Sequence, residues 1–411
     1  MAGKVVKNTL VLSSANVLAR AIGFFYFVFL GRILGVENFG HYNFALALVY
    51  NFYPVADFGV ERLILRDISK DKNKAQEYFQ KIIPLRLSLS LISIILVTSL
   101  GIILSKSSKD ILNIFIFAFC LLPWTFNQLV AGIGNAHEKM EVQSIVAISS
   151  TGFTAILGGL IALFGGTVTQ ILVAAFFSNL FVSFFMFFYL KKLDLVFKID
   201  LDVGFWKKIL KESWVFALIM IMAVFYLRSS VVIVNYFKGA YFTGIYSSAF
   251  KFIEASILIP QSFALALFPQ TARLLGSDKG KLTRNYLKSL AAIFAFAVIY
   301  ALFFILFSPM IIKISYGPSY LEAAAVMRIL SIAAIIFFLN TLPGNIIQNS
   351  NRVKKFLPFA FLNLILVIIL CAILVPKYSV IGAAWAVIGG EVFGLIINNW
   401  FVFRILKGKN D

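Results

Sequence analysis

Charge is what this chain lacks. Only 13% of its 411 residues are Asp, Glu, Lys or Arg, while 61% are hydrophobic, and the mean hydropathy is +0.92. A soluble domain of this length cannot cover itself with so little polar surface. Cysteine and histidine are nearly missing, at two each. Cys120 and Cys371 lie inside apolar runs and read as free, small core residues, which excludes a disulfide framework. His41 and His137 stand in different loops without a cluster of Cys or carboxylates, so no metal site is expected. No phosphate-binding P-loop, nucleophile elbow or His-Glu-x-x-His is present. The chain therefore reads as a non-enzyme, and no ATP-driven mechanism follows from it. The ten-residue alternation of a membrane β-barrel is absent too.

What is there is a succession of apolar runs of about 20 residues, each long enough to cross roughly 30 Å of hydrocarbon. The pattern predicts an all-α polytopic membrane protein with about 12 transmembrane helices. The spans are placed near 8–31, 41–64, 82–104, 111–133, 142–164, 169–190, 213–236, 244–268, 287–310, 323–347, 356–375 and 379–403. The first is expected to stay in the mature protein. Lys4 and Lys7 precede a run too long for a signal peptide, and no small-residue cleavage pattern follows.

The basic residues are distributed unevenly. Of 37 Lys and Arg, 26 fall in the termini and the loops on their side, with 65–86 and 270–288 counted whole so that Arg86 and Lys288 are included; six fall in the opposite loops, and Arg20, Arg62, Arg228, Lys251 and Arg328 fall inside spans. Positive charge collects in the cytoplasm, so both termini are expected there, in the cell membrane. The same bias accounts for most of the formal charge of +19, and a nucleic-acid partner is not needed. Cytoplasmic lysines also attract anionic membrane lipids, at about 1 kcal/mol each. The opposite loops are too short for a catalytic domain. The longest cytoplasmic segment divides the chain into an N-terminal six-helix lobe (1–190), a linker (191–212) and a C-terminal six-helix lobe (213–411). Residues 204–212 read as a basic amphipathic interfacial helix, with Phe205, Trp206, Ile209 and Leu210 on one side.

An internal repeat supports that division. Gly35, Gly40, Tyr42 and Ala45 are matched by Gly239, Gly244, Tyr246 and Ala249 at one constant offset. Six spans per half make this a parallel repeat, with the lobes related by a pseudo-two-fold along the membrane normal.

A charge at mid-bilayer costs at least ~2.5–3.5 kcal/mol on insertion scales, so charges inside spans are the candidate functional residues. Arg20 and Arg228 stand near mid-depth, and Lys251 and Arg328 nearer the outer face. Guanidinium groups bind phosphate bidentately and keep their charge, so these four are the expected ligands of an anionic headgroup. Asp57, Glu254 and Glu391 are candidates for coupling or gating. Lys251 and Glu254 are also three residues apart on one helix, where they can pair with each other. Glu61 and Arg62 read as structural, near the inner interface.

Three stretches resemble the polysaccharide-exporter branch of the MOP flippase superfamily, the Wzx-type oligosaccharide flippases. They are Leu34-Gly35 with Phe39-Gly40-His41-Tyr42 and Ala56-Asp57-Phe58-Gly59, the turn within 315–330, and 375–391, where Ser379 replaces the usual Gly. The resemblance implies a MATE-like fold of two lobes that rock about a central cavity. It implies transport of a polyprenyl- or dolichyl-pyrophosphate-linked oligosaccharide from the inner to the outer leaflet, with a polysaccharide polymerase or glycosyltransferases as possible partners. No cofactor is implied beyond coupling to a proton or sodium gradient. Lipid II flippases carry a first-span pattern Arg-x-x-Gly-x-x-Arg. Here Arg20 and Gly23 keep its first half and Tyr26 replaces the second Arg, which favours the polysaccharide branch. The competing readings are a cation-coupled MATE-type small-molecule exporter, a glycan polymerase or ligase, and a non-transporting assembly protein. The first favours acidic cavities and the second needs longer outer loops.

Overall fold

The structure is a computed structural model and describes residues 2–105, 107–350 and 353–406. Among them every regular element is helical. The α-helices are α1 (Ala2–Asp57), α2 (Val60–Lys70), α3 (Ala75–Leu104), α4 (Ser108–Ala118), α5 (Leu121–Ala136), α6 (Glu141–Leu163) and α7 (Val168–Tyr189). They continue as α8 (Val203–Lys238), α9 (Ala240–Ser256), α10 (Leu258–Ser277), α11 (Lys279–Ser315), α12 (Ala323–Asn349) and α13 (Val353–Leu406). Helix is the expected element here, because it satisfies its own peptide groups where lipid offers no hydrogen bonds.

Among the described residues, ten helical stretches are long and apolar enough to cross a membrane, and two of these are of double length: Val11–Lys70 and Lys355–Leu406. Each double stretch is a hairpin. In α1 the backbone leaves the helix at Gly35 (φ 73°, ψ 170°), and the side chains of Tyr26 and Tyr42, which a straight helix would hold far apart, lie together. In α13 the break is at Ser379 (φ 53°, ψ −139°). Gly382 there packs on the Leu374 carbonyl, Gly389 on Leu370 and Gly394 on Asn363, the register of an antiparallel pair. The ten stretches thus make the twelve passes that the hydropathy pattern indicates.

By contacts the chain divides into two compact units. The first holds residues 1–34 and 41–228, and the second holds 35–40 and 229–411. In the first unit, Val60, Leu63 and Ile64 of α2 are buried in one core with Ile82, Leu129, Val130, Val142 and Met186 from α3, α5, α6 and α7. Residues 190–203 are strapped along the start of α3. Gln76 exchanges two hydrogen bonds with the backbone of Val196 (2.9 and 2.8 Å), and the Asp200 N–H donates to the Gln80 carbonyl at 3.2 Å. Asp202 then caps α8, accepting from the Phe205 N–H at 2.8 Å and pairing with Lys81 at 3.0 Å. These two contacts hold its carboxyl below the usual carboxylate range. Residues 204–212 do not form a separate interfacial helix. No Gly or Pro stands between Phe205 and Lys238, so they run on as the first turns of α8. Ile209 is buried, Phe205, Trp206 and Leu210 pack against the core of α2 and α3, and the Trp206 indole donates to the Lys81 carbonyl at 2.8 Å.

The second unit shows the repeat in three dimensions. Gly35 and Gly239 have nearly the same positive-φ backbone (ψ 170° and −175°), which a side chain would strain. Gly40 packs on the carbonyl of Ala240, and Gly244 packs on the carbonyl of Val36. Val36 and Ala240 are themselves repeat partners, so the contacts are exchanged, as a local two-fold requires.

Ser379 occupies a backbone region that costs a residue with a Cβ about 1–3 kcal/mol. Ser379→Gly is expected to raise stability by about 1 kcal/mol, after about 0.4–1 kcal/mol is lost to a freer unfolded chain. Thermal unfolding in detergent checks this; an unchanged or lower midpoint contradicts it.

Candidate functional site

The stretch Ala56-Asp57-Phe58-Gly59 is where the helix of the second span breaks. Phe58 (φ 51°) and Gly59 (φ 70°) are both left-handed. Gly59 abuts α8 so closely that a Cβ would meet the Ala217 nitrogen at 2.7 Å and the Ser213 carbonyl at 3.0 Å. The break places Asp57 in the interior of the first unit, fully buried, in an ion pair with Arg86, which is 2% exposed. Arg86 also donates to the Thr125 carbonyl at 2.8 Å, and Ser90 and Thr125 hydroxyls join at 3.1 Å. Tyr53 lies close enough to feel the charges of Asp57, Glu61 and Arg86.

Arg86 corrects the sequence reading, which counted it among the cytoplasmic loop cations. The helix starts at Ala75, ahead of the apolar run, so Arg86 lies well inside α3. A hydropathy window does not register one cation at its margin.

Arg20 is exposed on α1, on the same side as the exposed Ser13 and Asn16. Among the described residues it makes no hydrogen bond or ion pair. Arg228 of α8 lies over the ring of Tyr50, 5.5 Å from its centroid. In the second unit Lys251 and Glu254 pair at 2.9 Å on α9. Arg328 of α12 donates through Nε to the Ser308 hydroxyl at 3.0 Å. Glu391, 4% exposed, accepts from the Asn340 amide at 2.8 Å, and the same amide reaches the Glu391 carbonyl at 3.0 Å. Asn398 in turn donates to Asn340 at 3.1 Å. Sequence reasoning named the carboxylates but missed Arg86, Asn340 and Asn398. The two amides were visible as polar residues inside apolar runs, a signal that attention to formal charge passes over. Cys120 and Cys371 are buried and free, as expected.

Residues 5–275 match the polysaccharide biosynthesis protein family. The chain belongs to this family. The chain is similar to a protein named as an O-antigen transporter in Shigella flexneri, 26% identical over 92% of each chain. Another is the capsular polysaccharide biosynthesis protein CapF of Staphylococcus aureus, 24% identical over 97% of this chain and 100% of that one. Among solved structures, this member of the family is similar to an inward-facing MATE transporter of the MOP superfamily (TM-score 0.76, 16% identity, 98% and 99% coverage). It is similar also to the lipid II flippase MurJ in an inward closed conformation (TM-score 0.78, 16% identity, 96% and 87% coverage). The fold is the all-α MOP type, and the chain, with its long apolar helices, is an integral membrane protein.

Removing one partner of a buried pair leaves an uncompensated charge, at a cost of about 3–5 kcal/mol. Asp57→Ala is expected to destabilise by that amount, and adding Arg86→Met to recover most of it. A thermal-shift series on the three variants decides. A double variant as unstable as the single one shows that the pair carries no such coupling.

Proposed function

We propose that this protein translocates an oligosaccharide carried on a polyprenyl or dolichyl (pyro)phosphate from the cytoplasmic to the outer leaflet of the cell membrane. It does so by alternating access between two lobes, for the assembly of cell-surface polysaccharide or glycan, with both termini in the cytoplasm. The observation that carries this reading is Arg20, a permanent cation in an apolar run, exposed beside Ser13 and Asn16 and without a partner among the described residues. Such a group suits a mobile anionic headgroup. Arg228 is its companion, and Lys251 and Arg328 serve nearer the outer exit. Relatives named for O-antigen transport and capsular polysaccharide biosynthesis support the same substrate class.

A small-molecule exporter for organic cations would need carboxylates available to the drug. Asp57, Glu254 and Glu391 are each engaged by a donor of the chain itself, from Arg86, Lys251 and Asn340. In our reading Glu391 couples the cycle to a proton or sodium gradient: a carboxylate buried among amides takes up a cation only when the surrounding helices let one in.

Arg20→Ala is expected to lower leaflet translocation of pyrophosphate-linked glycans in proteoliposomes by about tenfold or more, with a well-folded protein. Wild-type transport by that variant would remove Arg20 from the mechanism. Glu391→Gln is expected to flatten the dependence of rate on an imposed proton or sodium gradient. A variant that tracks the wild type across gradients places the coupling elsewhere.

A further inference from the structure

Between α7 and α8, in the first unit, residues 195–202 are not helical. They lie on the start of α3, bonded to Gln76 and Gln80, and Leu193 and Leu195 are buried beside them. The outward side chains are nonetheless apolar. Val196 is 67% exposed and Leu201 69%, and Phe197, Ile199 and Val203 are exposed as well. Water penalises such a cluster, at about 25 cal/mol per Å² of apolar area. Lys198 stands among these residues, and Lys207, Lys208 and Lys211 follow on the first turns of α8, all exposed.

The height of this segment follows from its neighbour. The apolar run of the third span begins at residue 82, so Gln80 and Gln76 stand about 3 and 9 Å ahead of it along the axis of α3. Val196 is bonded at the outer of these levels and Asp200 at the inner, while Asp202 and Trp206 both reach Lys81, next to the run itself. The headgroup layer of a bilayer is about 5–8 Å deep on each side. The segment therefore descends through that layer, with Val196 at its rim and Leu201 and Val203 near its floor. Its apolar surface is also continuous with that of a span. Phe197 packs on Phe187 of α7, with centroids 5.6 Å apart, and Phe184, Phe187 and Phe188 are exposed along α7 as lipid-facing side chains are.

We propose that residues 195–203 are an interfacial anchor, laid into the headgroup layer of the leaflet that α3 enters. Ile199, Leu201 and Val203 reach the top of the acyl chains, and Lys198, Lys207, Lys208 and Lys211 lie among the phosphates. Residues 191–211 hold six Lys against three Asp, so apolar insertion carries the anchoring and charge only assists it. The same segment is bonded to α3 and caps α8, so the anchor holds the entry points of both helices at one depth. The inference is independent of the transported substrate.

The test places one nitrobenzoxadiazole label at a time on the full-length protein in vesicles of phosphatidylcholine and phosphatidylglycerol. Cys120 and Cys371 are buried, so a cysteine introduced at the surface is labelled selectively. Phe184→Cys on α7 is the lipid reference, and Asn73→Cys, in the exposed turn before α3, is the water reference. A phosphatidylcholine with a nitroxide high on its acyl chain is expected to quench Leu201→Cys and Val203→Cys about threefold more than Asn73→Cys, with Val196→Cys between them. Aqueous iodide should give the reverse order. Adding Leu201→Glu to Ile199→Cys should remove about half of the lipid quenching at residue 199. If the labels at 201 and 203 are quenched like the one at 73, the segment lies in water and the anchor is overturned. If neither quencher reaches them, protein covers this face and the anchor is overturned as well. If Leu201→Glu leaves the quenching at 199 unchanged, the apolar side chains do not hold the segment in the membrane, which contradicts the proposal.

Discussion

Hydrocarbon offers no hydrogen bonds, and every part of this structure answers to that fact. Peptide groups are satisfied within helices. Charges are paired, stacked on aromatic rings, or placed where they remain exposed. Asp57 and Arg86 meet in the interior of the first unit, Lys251 and Glu254 pair along one helix, and Glu391 is held by the Asn340 amide. Arg228 leans on Tyr50. Against this background Arg20 differs, being exposed and unpaired among the described residues.

The second feature that organises the molecule is the duplicated turn. Gly35 and Gly239 share one backbone conformation, and Gly40 and Gly244 each rest on a carbonyl next to the other. Glycine is required on both counts: at the first pair because φ is positive, at the second because a Cβ would occupy the carbonyl's place. The other hairpin, at Ser379, reaches a comparable turn with a residue that carries a Cβ. The two hairpins therefore obey one topology with different local strain.

Much of this was legible from residue order. Span count follows from hydropathy, since an apolar run long enough to cross the bilayer has few other places to be. The pairing of Lys251 with Glu254 was open in the sequence, because three residues along a helix bring side chains to one face. The Asp57–Arg86 pair was not, because its partners lie on different spans and Arg86 sits at the edge of an apolar run. The contact of Arg228 with the Tyr50 ring was equally hidden: among so many aromatic residues, no sequence feature separates a ring that meets a cation from one that meets lipid.

Local composition by itself determined the class of this protein: a helical membrane protein with its basic residues gathered in the termini and the loops on their side, two related halves and a few costly charges in its spans. These properties depend on the balance between each segment and its solvent, which residue order states directly. Tertiary structure alone decided which charges are occupied and which remain available. That depends on contacts between helices distant in sequence: α1 with α3 and α5, α8 with α1, α12 with α13. It also decided that residues 203–212 belong to α8, since packing of their apolar face on α2 and α3 outweighs the lipid interface that the same amphipathic pattern would suit equally well.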